Sequence, residues 1–285
     1  MYPQTVQKYL LTSELQKRDP PLILVLGGLD PSGAGLQADI ETCLALGCRA
    51  LPVATSFTIQ NTRAVELVIT LNPTDIIQQA RQVLNDVRPI AACKIGLLPD
   101  VKSVQAVASI IETLPVGTPI CLDPVNRASS GAALTSDAVT TAILTLLLPR
   151  MTLIKPNLAE ARALAMAMAM AMAGDDMAGC ILSTPDRYTL VTGTDEGSAR
   201  ARHCLYRAGA LLAEYDWPRL AGAYHGTGCT LTSAITAFLA RGCTVEIAVS
   251  RALCYTFAAV ATAISIGGRQ MIPNRLAAAA GIDDD

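Results

Sequence analysis

Residues 225–230 read His-Gly-Thr-Gly-Cys-Thr and run straight into a long apolar segment. Gly226 and Gly228 allow successive backbone N–H groups to turn inward as an anion-binding nest. A helix starting there adds the positive end of its dipole. Thr227 and Thr230 supply hydroxyl donors. Cys229 falls in the first helical turn, a position that lowers a thiol pKa. Anion binding beside a reactive thiol is one reading of this stretch; a capped helix with a small buried cysteine is the other.

Three further stretches carry chemistry at what look like strand ends. GGLDPSGAGLQAD (27–39) is glycine-rich and opens a helix, an arrangement that brings backbone close to an anion. It also fits an ordinary turn capped by Asp30 and Ser32. In CLDPVN (121–126), Asp123 has the chemistry to hold Mg²⁺ or orient a phosphate, or simply starts an Asp-Pro turn. In KPNLAEA (155–161), Pro156 stops a strand, and Asn157 and Glu160 have the spacing of a capping box. The chain has no G-x-G-x-x-G, no G-x-x-x-x-G-K-[ST] and no H-R-D. A dinucleotide fold, a P-loop ATPase and a protein kinase are thereby disfavoured, and phosphoryl transfer would have to use the nest.

The elements that must position these residues alternate. Apolar runs at 21–28, 49–58, 90–98, 118–124, 151–157 and 188–193 read as strands. Helical spacing occupies 36–47, 73–87 with Asn72 as its cap, 101–114, 134–148, a segment from Leu158, 227–240 and 244–266. Residues 203–217 read as a hairpin turning at Arg207–Gly209. Repeated strand–helix units predict an α/β fold, a mainly parallel sheet with helices on both faces. Ligands then collect at the carboxyl ends of the strands. The low-complexity stretch ALAMAMAMAMAG (163–174) follows from the helix propensity of Ala and Met.

The bulk properties agree with one large domain. The chain has 285 residues, 51% hydrophobic and only 4% aromatic, and a formal net charge of −2. Without a dense basic run there is no footprint for nucleic acid or an anionic membrane. Nine cysteines, an odd number with no C-x-x-C pair, read as free thiols in a reducing compartment. Two histidines disfavour a His-rich metal site. No segment has the length and apolarity of a membrane span or the form of a secretory signal, so the expected location is cytoplasmic.

Taken together, GGLDPSGAGLQAD, SFTIQNT, KIGLL, LDPV, KPNLAEA and HGTGCTLTSAI stand in the order found in hydroxymethylpyrimidine/phosphomethylpyrimidine kinases, and the chain resembles that family over residues 21–266. The resemblance implies a three-layer α/β/α ribokinase-like fold over 1–285, with 1–20 as an N-terminal extension and 267–285 as a C-terminal tail. It implies ATP and Mg²⁺, a small pyrimidine substrate phosphorylated twice in thiamin biosynthesis, and a homodimer. Carried onto matching positions, Asp39 and Gln60 hydrogen-bond the aminopyrimidine and Gly28 joins that pocket. Gly226, Thr227 and Gly228 form the anion hole, and Cys229 stands where related sugar kinases place an Asp base. Asp123 and Glu160 lie near Mg²⁺; Asn157, Thr192 and Gly193 approach the nucleotide. Three segments depart from the family pattern. DPSGAG is one residue short, DPVNRASSG lacks the lysine often found after this Asp, and VTGTDEG replaces the commoner KGGH form. A pyridoxal kinase of the same fold and a non-catalytic pyrimidine sensor are the alternatives.

Overall fold

The computed structural model describes residues 19–126, 134–172, 187–194 and 198–279. Nine strands form one sheet: β1 (Leu22–Leu29), β2 (Arg49–Gln60), β3 (Val65–Thr70), β4 (Ala92–Ile95), β5 (Ile120–Leu122), β6 (Leu153–Ile154), β7 (Tyr188–Thr192), β8 (Arg200–Arg207) and β9 (Ala210–Pro218). Their spatial order is β3-β2-β1-β4-β5-β6-β7-β8-β9. The six strands from β2 to β7 in that order are parallel. β3 and the β8–β9 hairpin extend the two edges antiparallel.

The pleat of β1 shows how the layers arise. Leu22, Leu24 and Leu26 point into one core, while Ile23 and Val25 point into the other. The first core is closed by α2 (Pro73–Asp86), α3 (Val101–Ile111), α4 (Asp137–Ala142) and α5 (Leu158–Met172). The second is closed by α1 (Gly35–Ala45), α6 (Thr227–Ala240), α7 (Val245–Ala261) and α8 (Arg275–Ala279). A strand buried on both faces has no polar alternation, which is why these runs read as continuous apolar segments.

Local chemistry sets several boundaries. Asn72 accepts a hydrogen bond from the Thr74 N–H with Pro73 in the first turn, as its sequence predicts. Asp100 and Thr244 cap α3 and α7 in the same way. The β8–β9 hairpin turns through Ala208 (φ 50°) and Gly209 (φ 80°), within the predicted turn.

Three findings differ from the sequence reading. β3 is absent from the sequence reading: it lies at the sheet edge and buries none of its six residues, so VELVIT lacks the apolar signal of the inner strands. The helix expected over 134–148 is α4 followed by a π turn (Ile143–Leu147) and a 3-10 turn (Leu148–Arg150). Residues 267–279, part of the expected C-terminal tail, pack against the domain. Met271 and Ile272 make bridges to Tyr224 and Ile264, and Arg275 is buried. The expected N-terminal extension up to residue 18 and the end of the Met-Ala stretch beyond Met172 lie outside the described residues, as do 127–133 of the DPVNRASSG segment.

Arg275 straps the molecule together at one point. Its Nη2 donates to the Gly33 carbonyl at 2.6 Å, its Nε to Thr230 Oγ1 at 2.9 Å and its Nη1 to Glu41 at 2.7 Å. The first glycine turn, the start of α6 and α1 are thus joined by one guanidinium. Arg275→Met should lower the unfolding free energy by about 1–3 kcal/mol, the cost of leaving buried acceptors unpaired. Urea denaturation of wild type and variant at pH 7 measures it; a change within error would mean that apolar packing alone seats the C-terminal segment.

Candidate active site

Because β2, β1 and β4 to β7 are parallel, their carboxyl ends lie along one edge of the sheet, and the chemistry-bearing residues gather there. An inner cavity of about 350 Å³ is lined by Gly28, Thr58, Gln60, Lys94, Asp123, Glu160 and Cys229, with Gly226 and Gly228 beside them. An outer cavity of about 440 Å³ is lined by Asn157, Thr192, Gly193, His203, Arg219, Thr227 and Gly228. Lys155, Asn157, Thr192 and Gly228 line both. A third recess of about 280 Å³ continues from the outer cavity past His203, Arg219 and Thr227 to Trp217, Tyr224 and Phe257.

The nest forms as the glycines require. Gly226 has φ 81°, in the left-handed region, and no side chain caps the helix that follows. The first N–H groups of α6 are thus left without a capping side chain. A Cβ on Gly228 would lie 3.1 Å from Lys155 Nζ and 3.6 Å from Asp123 Oδ2, so that backbone rides directly on an ion pair. Thr227 Oγ1 is buried without a hydrogen-bond partner, a donor left over for a ligand. On the other wall, Asp30 accepts from Ser32 N and Oγ at 2.7 Å each and pairs with His225 Nε2 at 2.6 Å. Burial would push the Asp30 carboxyl up, but His225 and Ser32 outweigh it and hold it below its ordinary value.

Two lysines sit beneath the cavity floor. Lys94, on β4, is fully buried and donates to both Asp39 oxygens at 2.8 and 2.9 Å. Ser233 Oγ also donates to Asp39, at 2.6 Å. Burial works against the Lys94 charge, but Asp39, Cys229 and Asp123 favour it more strongly, and its pKa rises. Lys155 follows β6 and lies 3.0 Å from Asp123 Oδ1. Its pKa also rises, because Asp123 and Glu160 overcome burial. Asn157 and Glu160 close a capping box, with Asn157 N donating to Glu160 Oε2 and Glu160 N to Asn157 Oδ1, both at 2.8 Å. Burial pushes the Glu160 carboxyl up to about 7 against the pull of Lys155.

Most of the residues singled out from sequence thus meet along this edge. Gly28, Gln60, Asp123, Glu160 and Cys229 line the inner cavity, Thr227 and Gly193 the outer, and Gly228, Asn157 and Thr192 both; Gly226 is on the inner side. Asp39 is the exception. Fully buried and committed to Lys94 and Ser233, it does not line the cavity; Lys94 does. The helical register of α1 turns Asp39 toward α6 and the sheet, so the group it presents to the cavity is its partner's ammonium. Cys229 also departs from expectation. Burial pushes its thiol up to about 11 despite Lys94 and the Gly35 N–H, with Asp123 and Asp39 adding to the rise. Desolvation outweighs the helix N-terminus here.

Sequence reasoning missed Lys94, Lys155, Arg275 and the His225–Asp30 pair. A signal existed for the lysines: each lies in or at the end of an apolar strand, ACKI and LIK, where a charge must find a buried partner. Arg275 had no such signal.

This arrangement, two cavities meeting at a glycine nest with a thiol and two buried ammonium groups, suits transfer of an anionic group from one cavity to the other. A family model described as phosphomethylpyrimidine kinase matches residues 30–274. The chain belongs to that family. A hydroxymethylpyrimidine/phosphomethylpyrimidine kinase from Streptomyces coelicolor is 34% identical over 260 residues, covering 87% of this chain and 92% of that protein. The Escherichia coli enzyme of the same name is 35% identical over 238 residues, covering 76% and 82%. Among solved structures, a phosphomethylpyrimidine kinase from Clostridium difficile superposes with a TM-score of 0.68 at 27% identity, over 84% of this chain and 99% of that one. A Staphylococcus aureus pyridoxal kinase in complex with pyridoxal reaches 0.78 at 21% identity, over 91% and 95%, a likeness of fold. The ribokinase-like architecture expected from sequence is the one the chain has, and the kinase is a phosphotransferase.

The elevated Cys229 pKa has a direct consequence for this kinase. Alkylation by iodoacetamide should be slow at pH 7.5 and climb steadily toward pH 10, since only the thiolate reacts. Peptide mapping by mass spectrometry separates Cys229 from the exposed Cys254. A Cys229 labelling rate already at its plateau near pH 7 would contradict the dominance of burial.

Proposed function

We propose that this chain phosphorylates 4-amino-5-hydroxymethyl-2-methylpyrimidine and then its monophosphate, with ATP as donor, in thiamin biosynthesis. The observation that carries the reading is the placement of Cys229 and the Gly226–Gly228 nest where the inner and outer cavities meet. The inner cavity takes the pyrimidine. Gln60, at the end of β2, supplies an amide with both donor and acceptor for the ring nitrogens and exocyclic amine. The outer cavity takes the nucleotide phosphates against Thr192, Gly193 and Asn157, and the recess with Trp217 and Phe257 suits the purine.

In the first reaction the substrate hydroxyl oxygen bonds to the γ-phosphorus while the bond to the β–γ bridging oxygen breaks, and that electron pair leaves with ADP. The hydroxyl proton passes late in the transfer to the thiolate form of Cys229, whose own proton has first left to solvent; burial keeps that form scarce near neutral pH but makes it a strong base toward the acceptor hydroxyl. In the second, the acceptor is a phosphate oxygen that is already anionic near neutral pH and needs no base. Asp123 and Glu160 fit a divalent cation held largely through water and phosphate oxygens, because no group of three His, Cys, Asp or Glu is gathered among the described residues. When bound, Mg²⁺ supplies neutralisation of the phosphate charge.

Two side proposals follow. On the β2–β3 ribbon, the cross-strand pairs Phe57–Ile69 and Ile59–Leu67 are all exposed and apolar, which supports a second copy of the chain as partner. The eight described cysteines are free thiols, which supports a reducing cytoplasm. No helix among the described residues is long and apolar enough to cross a membrane.

A coupled assay of ADP release with the pyrimidine alcohol, its monophosphate and pyridoxal tests the reading, and activity confined to pyridoxal would overturn it. Gln60→Leu should reduce kcat/KM for the alcohol by the equivalent of about 1–3 kcal/mol, an unpaired buried polar group on the substrate. Cys229→Ala should slow the alcohol reaction by about 10²–10⁴-fold and the monophosphate reaction far less. Equal losses would assign Cys229 to positioning.

A further inference from the structure

Among the described residues, Lys155 is the cation that lines both cavities. It closes β6, its backbone N–H bonded to the Leu122 carbonyl at 2.9 Å. The side chain is 5% exposed and its Nζ lies 3.0 Å from Asp123 Oδ1. It lines the inner cavity and the outer one, and the backbone at Gly228 passes close enough that a Cβ there would be 3.1 Å from Nζ. An ammonium carries three donor protons. The Asp123 contact takes one, so further donors remain at the point where the nest and the two cavities converge.

Lys94 cannot do the same work. Two of its donors are spent on the two Asp39 oxygens, and it lines the inner cavity without reaching the outer one. Arg219 lines the outer cavity and the recess but not the inner cavity. We propose that Lys155 is a further catalytic residue of this kinase, its ammonium contacting the γ-phosphoryl group as it crosses from nucleotide to acceptor. The inference rests on the phosphoryl-transfer reading given above. A fixed cation placed at the shared wall can follow the phosphoryl oxygens through the transfer without moving, and it acts equally on the alcohol and monophosphate reactions. This distinguishes it from Cys229, whose effect divides the two.

The test uses the full chain and four variants: Lys155→Met, Lys155→Arg, Asp123→Asn, and Lys155→Met combined with Asp123→Asn, which removes both charges of the buried pair so that no uncompensated carboxylate is left. Circular dichroism establishes folding. Calorimetric titrations with ADP and with AMP-PCP, which keeps a γ-phosphate, are run alongside turnover of both acceptors. Wild-type turnover reports on the functional reading itself, independently of Lys155. For Lys155→Met relative to wild type, and for the double variant relative to Asp123→Asn alone, the AMP-PCP affinity should fall about tenfold or more while ADP affinity stays within about threefold. The value of kcat should drop by about 10²–10³-fold for both acceptors alike, with Lys155→Arg recovering part of the AMP-PCP affinity. Equal weakening of ADP and AMP-PCP would overturn the proposal and leave Lys155 as a structural partner of Asp123. Unchanged AMP-PCP binding and unchanged kcat would overturn it as well.

Discussion

The site depends on charge held out of water at the carboxyl edge of a parallel sheet. Lys94 with Asp39, and Lys155 with Asp123, are ion pairs whose side chains are at most 5% exposed. Burying such pairs contributes little to folding, since desolvation consumes most of the attraction, and removing one partner alone costs about 3–5 kcal/mol. Their value lies in what they do to the cavity above. Two ammonium groups, each held by its carboxylate and shielded from solvent, keep a floor of fixed N–H donors beneath the backbone nest. A phosphoryl group meets donors already in place, without reorganisation during transfer.

The glycines follow from that floor. At Gly226 a side chain would meet Arg275 Nη2 at 2.7 Å, and at Gly228 it would press on Lys155. The left-handed φ of Gly226 then lets α6 begin without a side-chain cap, leaving its first N–H groups to a ligand. Backbone and guanidinium are packed so closely here that Gly226 admits no Cβ, while a Cβ at Gly228 would crowd the Lys155 ammonium.

Burial also decides the chemistry of the thiol. A helix N-terminus favours a thiolate, and Lys94 adds to that, but the cost of desolvating a negative sulfur is larger, and Asp123 and Asp39 work in the same direction as burial. The neutral thiol is therefore the resting form, and the thiolate able to take a proton from the acceptor hydroxyl is the minor one near neutral pH. The same competition lowers the His203 imidazole to about 4, chiefly through burial and then through Lys155 and Arg219, so the outer cavity gains no further titrating cation near neutral pH.

Much of this protein is local and was therefore legible in the chain. The apolar runs at 21–28 and 188–193 bury both faces of a strand, the Asn72 cap and the Arg207–Gly209 turn are short-range chemistry, and the nest is written in two glycines and a helix start. Parallel strand–helix alternation alone places strand ends on one edge, so Asp123, Glu160, Asn157 and Cys229 were bound to approach one another. What the tertiary structure decided concerns partners distant in sequence. The rotation of α1 sends Asp39 to Lys94, 55 residues away, rather than to the cavity. Arg275 reaches Gly33 across 242 residues. Whether Cys229 is acidic or basic depends on how much water the assembled layers exclude. A sequence states which groups can ionise or donate; the distance and the solvent between them, which fix the energies, exist once the layers have closed.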